Sequence, residues 1–179
     1  HGVLSVTDYP GFEALDAPDM ESYSKALNAG QYPLSVLALS RKAADTYQRG
    51  LYGNTMTTSP RSLDIAVAVL ESITPQLREN IRKRGQQLVA GLAGLVEGTD
   101  GAVTKTQGTG LLVSCELDDR FKIYGANSTE DYLRKIGLAV IHGGAHSLRY
   151  TPVFDISEKE VKLIVALTRE AILNGPRVS

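Results

Sequence analysis

Lys25 sits in Pro18-Asp19-Met20-Glu21-Ser22-Tyr23-Ser24-Lys25-Ala26-Leu27-Asn28-Ala29-Gly30, a stretch of small residues that lets backbone approach a ligand closely. A lysine amine whose charge is suppressed by desolvation or a nearby cation adds to a carbonyl and forms an imine, so this position is a candidate for carbonyl chemistry; the alternative is an ordinary solvated lysine. Thirty positions on, Tyr52-Gly53-Asn54-Thr55-Met56-Thr57-Thr58-Ser59-Pro60 gathers hydroxyls and amides just before a helix start. The first amides of a helix lack partners and its dipole end is positive, which suits a phosphate; the same residues also suit a capped helix behind a polar turn. Arg149, in Ser147-Leu148-Arg149-Tyr150-Thr151-Pro152, carries a planar fork fitted to a carboxylate, or else is a surface arginine on a strand.

Other reactive residue types point to less. His142 and His146 straddle Gly143-Gly144-Ala145, but no third ligand lies nearby and two glycines fix no common face, so metal is not expected. The single Cys115, within Leu111-Leu112-Val113-Ser114-Cys115, reads as part of a buried strand and has no disulfide partner in the chain. The glycine-rich stretches match neither the dinucleotide fingerprint nor the phosphate-loop pattern.

These residues must be held by regular elements. Pro10-Gly11 and Ala17-Pro18-Asp19 read as irregular chain, Leu34 to Leu39 as a buried strand, and Ser40 as the cap of a helix reaching about Gln48. Ser59-Pro60 starts a helix with Leu63, Ala66, Val67, Leu70 and Ile73 on one face. Thr74-Pro75 restarts the pattern, and Leu77, Ile81, Leu88, Leu92 and Leu95 mark a second long helix. Two strands follow, Val103 to Gln107 and Leu111 to Leu117, joined by a bend or bulge at Gly108-Thr109-Gly110. A helix capped by Ser128 and ended by Gly137, a strand over Leu138 to Ile141, and a short strand around Leu148 to Tyr150 come next. Ser157 with Glu160 forms a capping box before Val161, Ile164, Val165, Thr168 and Ile172 at helical spacing.

With 179 residues, 42% hydrophobic and 22% charged, the composition is that of a soluble globular chain, and a cytosolic, cytoplasmic location is expected. A formal charge of −1 offers no bulk attraction to nucleic acid or anionic lipid, and no stretch approaches the roughly 20 apolar residues of a membrane span. No charged-then-apolar leader opens the chain.

Taken in order, these segments resemble the class III aminotransferases, pyridoxal-phosphate enzymes of fold type I that include ornithine and 4-aminobutyrate aminotransferases. Pro18-Asp19, Ser24-Lys25-Ala26-Leu27, Gly30 and Tyr32-Pro33-Leu34 look like the family's lysine motif and the strand after it. Gly53-Asn54-Thr55 through Pro60 is similar to the segment that approaches the cofactor phosphate from the neighbouring subunit. Thr106-Gln107-Gly108-Thr109-Gly110-Leu111-Leu112 and Leu148-Arg149-Tyr150-Thr151-Pro152 resemble small-domain motifs, the latter carrying an arginine that binds a substrate carboxylate in several members.

The resemblance implies an α/β fold of which residues 1–74 are the end of the large cofactor-binding domain and 75–179 the small domain, helices on a mainly antiparallel sheet. It further implies pyridoxal 5'-phosphate as cofactor, Lys25 as imine former and proton carrier, Asn54 and Thr55 as phosphate ligands, and a homodimer with a shared active site. Amino-acid or amine and keto-acid substrates follow; an aminomutase, a decarboxylating transaminase, a racemase or a non-catalytic self-associating domain are the alternatives. Asn54 stands where the family has serine, and Thr151-Pro152-Val153 lacks its frequent double proline. Asp8 is too near Lys25 to be the aspartate that pairs with the pyridine nitrogen, so the chain is expected to be a C-terminal piece.

Overall fold

A computed structural model describes residue 3 and residues 5–9, 11–53 and 59–178. They fall into two compact units, Val3–Thr74 and the chain from Pro75 onward.

In the first unit, β1 (Met20–Ser24) pairs antiparallel with β2 (Ser35–Leu39), from Met20 opposite Leu39 to Ser24 opposite Ser35. The sequence predicts β2 as a buried strand, whereas it is exposed at every residue, and it reads β1 as irregular. β1 is polar and follows Pro18-Asp19, so its extended form comes from the apolar strand it pairs with rather than from its own propensity. Past β2, Ser40 accepts from the Ala43 amide at 3.1 Å and donates to Asp19 Oδ1 at 2.6 Å, capping α1 (Arg41–Ala44) and closing the strand pair together. α1 stops well short of Gln48. Thr46 donates its hydroxyl to the Ala43 carbonyl at 2.7 Å, and its amide bonds the same carbonyl at 3.2 Å, tightening the chain out of α geometry. α2 (Pro60–Ser72) opens with proline at its first turn and packs on the one-turn 3-10 helix Lys25–Asn28, with Ser62 and Ala66 buried. Of its predicted apolar face, Leu63, Val67 and Leu70 stay exposed. With Tyr23, Leu27, Val36 and Ala66 they line an apolar groove of about 370 Å³.

The second unit holds α3 (Pro75–Ala93), β3 (Val103–Thr109), β4 (Leu112–Leu117), α4 (Thr129–Lys135), β5 (Ile141–His142), β6 (Ser147–Tyr150) and α5 (Glu158–Asn174). Its sheet is antiparallel throughout, in the order β3-β4-β6-β5. Strand alternation sends Val113, Cys115, Leu117, Leu148 and Tyr150 into a core shared with Ile81, Leu88 and Leu92 of α3 and Val161, Ala171 and Ile172 of α5. Burying side chains of this size contributes roughly 1.5–3 kcal/mol each. The Tyr150 hydroxyl lies 3.0 Å from Thr168 Oγ1, which donates to the Ile164 carbonyl at 2.9 Å, so the buried polar atoms of β6 and α5 satisfy one another.

The bend expected at Gly108-Thr109-Gly110 is a tight hairpin, with Thr109 opposite Leu112, and the register irregularity lies instead between Val103 and Lys105. Gly110 turns the hairpin at φ 55. Gly85 of α3 meets it backbone to backbone: a Cβ on Gly85 would sit 2.0 Å from the Gly110 carbonyl oxygen. The strand expected over Leu138 to Ile141 forms only at Ile141–His142. Gly137, at φ 98, lets the Leu138 amide fold back on the Leu133 carbonyl at 2.9 Å, so that amide closes α4 instead of joining a ladder. Among the described residues no helix is long and apolar enough to cross a membrane.

Candidate functional site

Lys25 is the first residue after β1 and stands at φ 55, in the left-handed region that side chains other than glycine rarely occupy. It is exposed, and among the described residues its ammonium has no ion-pair partner. The turn that carries it is pinned by a residue whose role sequence reading missed. Asn28 is fully buried and donates from Nδ2 to the Tyr32 carbonyl at 2.9 Å, while its Oδ1 has no hydrogen-bond partner among the described residues. An asparagine among small residues reads as a solvent-facing turn, and only α2 packing on the turn removes it from water. Asn54 and Thr55 lie outside the described residues. Ser59 holds the cap position of α2 with φ −64 and ψ 119, yet its hydroxyl makes no capping bond among the described residues.

Arg149 belongs to the second unit and Lys25 to the first. On β6, Arg149 lies opposite Ser114 of β4 and Ile141 of β5, and Ser114 lies opposite Gln107 of β3. Residues directly opposite across strands share a face. Gln107, Ser114 and Arg149 therefore form one polar row on the sheet face opposite the buried Val113, Cys115 and Leu148. This face holds a cleft of about 530 Å³ lined by Gln107, Thr109, Leu112, Ser114, Gly143 and Arg149, with Gly108 and Val113. No carboxylate lines it among the described residues, and the Arg149 guanidinium has no ion-pair partner among them. A guanidinium without an ion-pair partner in a cleft without acidic lining is chemically suited to an anion, and its fork has the geometry of a carboxylate partner.

The histidines have separate partners. His142 Nδ1 lies 3.1 Å from Glu130 Oε2 and its ring stacks on Tyr124 at 4.6 Å, whereas His146 Nδ1 lies 3.6 Å from Asp119. Burial pulls the Glu130 carboxyl upward, but His142 and Arg134 together hold it below its ordinary value. Among the described residues no group of His, Cys, Asp and Glu gathers around a metal position. Cys115 is fully buried, and burial pushes its thiol up to about 11, against the opposing pull of Thr106. It stays protonated and unreactive in the folded chain.

The site sits in a chain whose kinship is clear. A family model described as aminotransferase class-III matches residues 12–172, and the chain belongs to that family. Acetylornithine aminotransferase of Neisseria meningitidis serogroup B is 29% identical over 145 residues, which are 80% of this chain and 36% of that protein. Succinylornithine transaminase of Citrobacter koseri is also 29% identical over 145 residues, covering 80% of this chain and 35% of that protein. The crystal structure of acetylornithine aminotransferase from Elizabethkingia anophelis superposes with a TM-score of 0.79 at 26% identity, over 88% of this chain and 41% of that one. Ornithine delta-aminotransferase of Plasmodium falciparum reaches a TM-score of 0.80 at 21% identity, over 90% and 40% respectively, a likeness that shows the fold alone. The fold is thus α/β, part of the fold-type I arrangement of these enzymes, and the chain spans 35–41% of the length of these relatives.

Proposed function

We propose that this chain is the C-terminal part of a pyridoxal 5'-phosphate-dependent aminotransferase that moves an amino group between an amino acid or amine and a keto acid, acting in the cytoplasm as a homodimer with shared active sites. Its first unit is then the end of the cofactor-binding domain and its second the small domain. The observation that carries the reading is Lys25, an exposed amine without an ion-pair partner among the described residues, kept on a left-handed backbone in a chain of this family. Ala29, Asp100 and Asn127 share that backbone region, so what distinguishes Lys25 is its amine without an ion-pair partner among the described residues, in a chain of this family.

Lys25 fits a carbonyl-bearing cofactor and would hold it through Nζ, while Asn54 and Thr55 would bind the phosphate of the cofactor held by the neighbouring subunit. When bound, the cofactor supplies an electron sink that acidifies the substrate carbon next to the amine. Nζ of Lys25 would act as the base that takes the proton from that carbon and as the acid that gives it back. Arg149, in the second unit, would bind the substrate carboxylate through its guanidinium fork.

The test is covalent mapping. Pyridoxal 5'-phosphate is added to the full-length parent protein, the adduct is reduced with borohydride, and the modified peptide is identified by mass; the 179 residues alone are expected to bind it weakly or not at all. Labelling is expected to concentrate on Lys25 and to vanish from that peptide in Lys25→Ala. Label spread evenly over the other lysines would overturn the assignment.

A further inference from the structure

We infer that Gln107 is a specificity-determining residue of the Arg149 cleft, and that the cleft favours a ligand bearing one carboxylate and one neutral amide over a dicarboxylate. The inference rests on the proposal that Arg149 binds a carboxylate. Register places Gln107 two strands from Arg149 on the same face, about 10 Å apart at the backbone from a strand spacing near 4.8 Å. Both side chains are exposed and line the cleft, and both are long enough to lean over the residue between them. That residue, Ser114, has its hydroxyl 2.5 Å from the Ser147 hydroxyl, so the serines largely satisfy each other. The cleft therefore presents one cation, one amide and the Thr109 hydroxyl.

The chemistry of the two ends differs. Arg149 is donor only and takes a carboxylate. Gln107 carries both an N–H donor and a carbonyl acceptor, which an amide matches in both directions. A second carboxylate would use the donor alone, leave the Gln107 carbonyl facing negative charge, and lose hydration with no second cation in return. Leu112, exposed on the same face, supplies apolar lining for the carbon chain between the two groups.

Succinamate and succinate have nearly the same shape and differ in this one group, and acetate carries the carboxylate alone. Each is titrated into the nitrogen-15-labelled protein while the Arg149 Nε–H and Gln107 side-chain amide resonances are followed. Succinamate is expected to bind roughly fivefold tighter than succinate or acetate, the effect of about one net hydrogen bond. Gln107→Ala is expected to bring succinamate down to the level of acetate while acetate binding persists, and Gln107→Arg to make succinate the best ligand. Equal binding of succinamate and succinate, or a preference that survives Gln107→Ala, overturns the role of Gln107 and leaves the Arg149 reading standing. Binding that survives Arg149→Ala, or no saturable shift with any of the three, overturns both.

Discussion

A side chain at φ 55 costs about 1–2 kcal/mol that glycine does not incur, and Lys25 bears that cost. Glycine in turn loses more chain entropy on folding, by about 0.5–1 kcal/mol, so Lys25→Gly is expected to stabilise the first unit by about 0.5–1 kcal/mol net while Lys25→Ala leaves it nearly unchanged. Denaturant midpoints of the two variants decide this; a glycine variant no more stable than the alanine one would show that Lys25 bears no backbone strain. Lys25 stood out in the sequence because Ser24-Lys25-Ala26-Leu27 with Gly30 and Tyr32-Pro33 resembles the family's lysine motif. Asn28 was not, because its burial depends on α2, whose sequence lies more than thirty residues away. Arg149 stood out only by its motif, and its lack of an acidic neighbour among the described residues depends on strand register, which no single segment encodes.

The elements that sequence reading recovered best carry local signals. α5 forms with its capping box intact: the Ser157 amide and hydroxyl donate to Glu160 Oε2 at 2.8 and 2.7 Å, and the Glu160 amide donates to Ser157 Oγ at 3.3 Å. Ser157→Ala is expected to lower stability by about 1 kcal/mol, read as a shift of the thermal or urea midpoint. The hydroxyl and amide of Ser157 hold the Glu160 carboxyl below its ordinary value near 4.5. A carboxylate with a depressed folded-state pKa stabilises the fold above its unfolded pKa, and that stabilisation is lost as pH falls through the lower value. The gap between wild type and Glu160→Gln is therefore expected to be full at pH 7 and to close under acid; a gap constant with pH would count against the ionised cap. Where elements depart from their sequence signals, tertiary contact or a stray hydrogen bond wins, as with β1 drawn out by β2, α1 cut short by Thr46 and β5 shortened by the Leu138 amide. Gly85 gave no signal at all, being one glycine inside a good helix. Gly85→Ala is expected to destabilise the second unit by about 1–3 kcal/mol, since the new methyl meets a carbonyl rather than a movable side chain. Gly94→Ala, with open space around it, is the control and is expected to be nearly neutral in the same thermal melt.

The two units differ in how completely they are closed. The extended core belongs to the second, while among the described residues the buried apolar ones of the first are Ala43 and Ala66, and its strand β2 is exposed along its whole length. Leu63, Val67 and Leu70 present apolar surface beside Tyr23 and Val36. Apolar area of this kind in water favours association, so the light scattered per unit mass is expected to rise with concentration and to fall for Val67→Asp. A protein monomeric at all concentrations would show that this face is tolerated as it stands. One further property comes from Cys115. As the single cysteine, sealed behind the sheet of the second unit, it turns the chain into its own clock: a thiol reagent can tag it only after that sheet has parted from its helices. The time course of tagging therefore times the opening of the tightly packed half and ignores any fraying around Lys25.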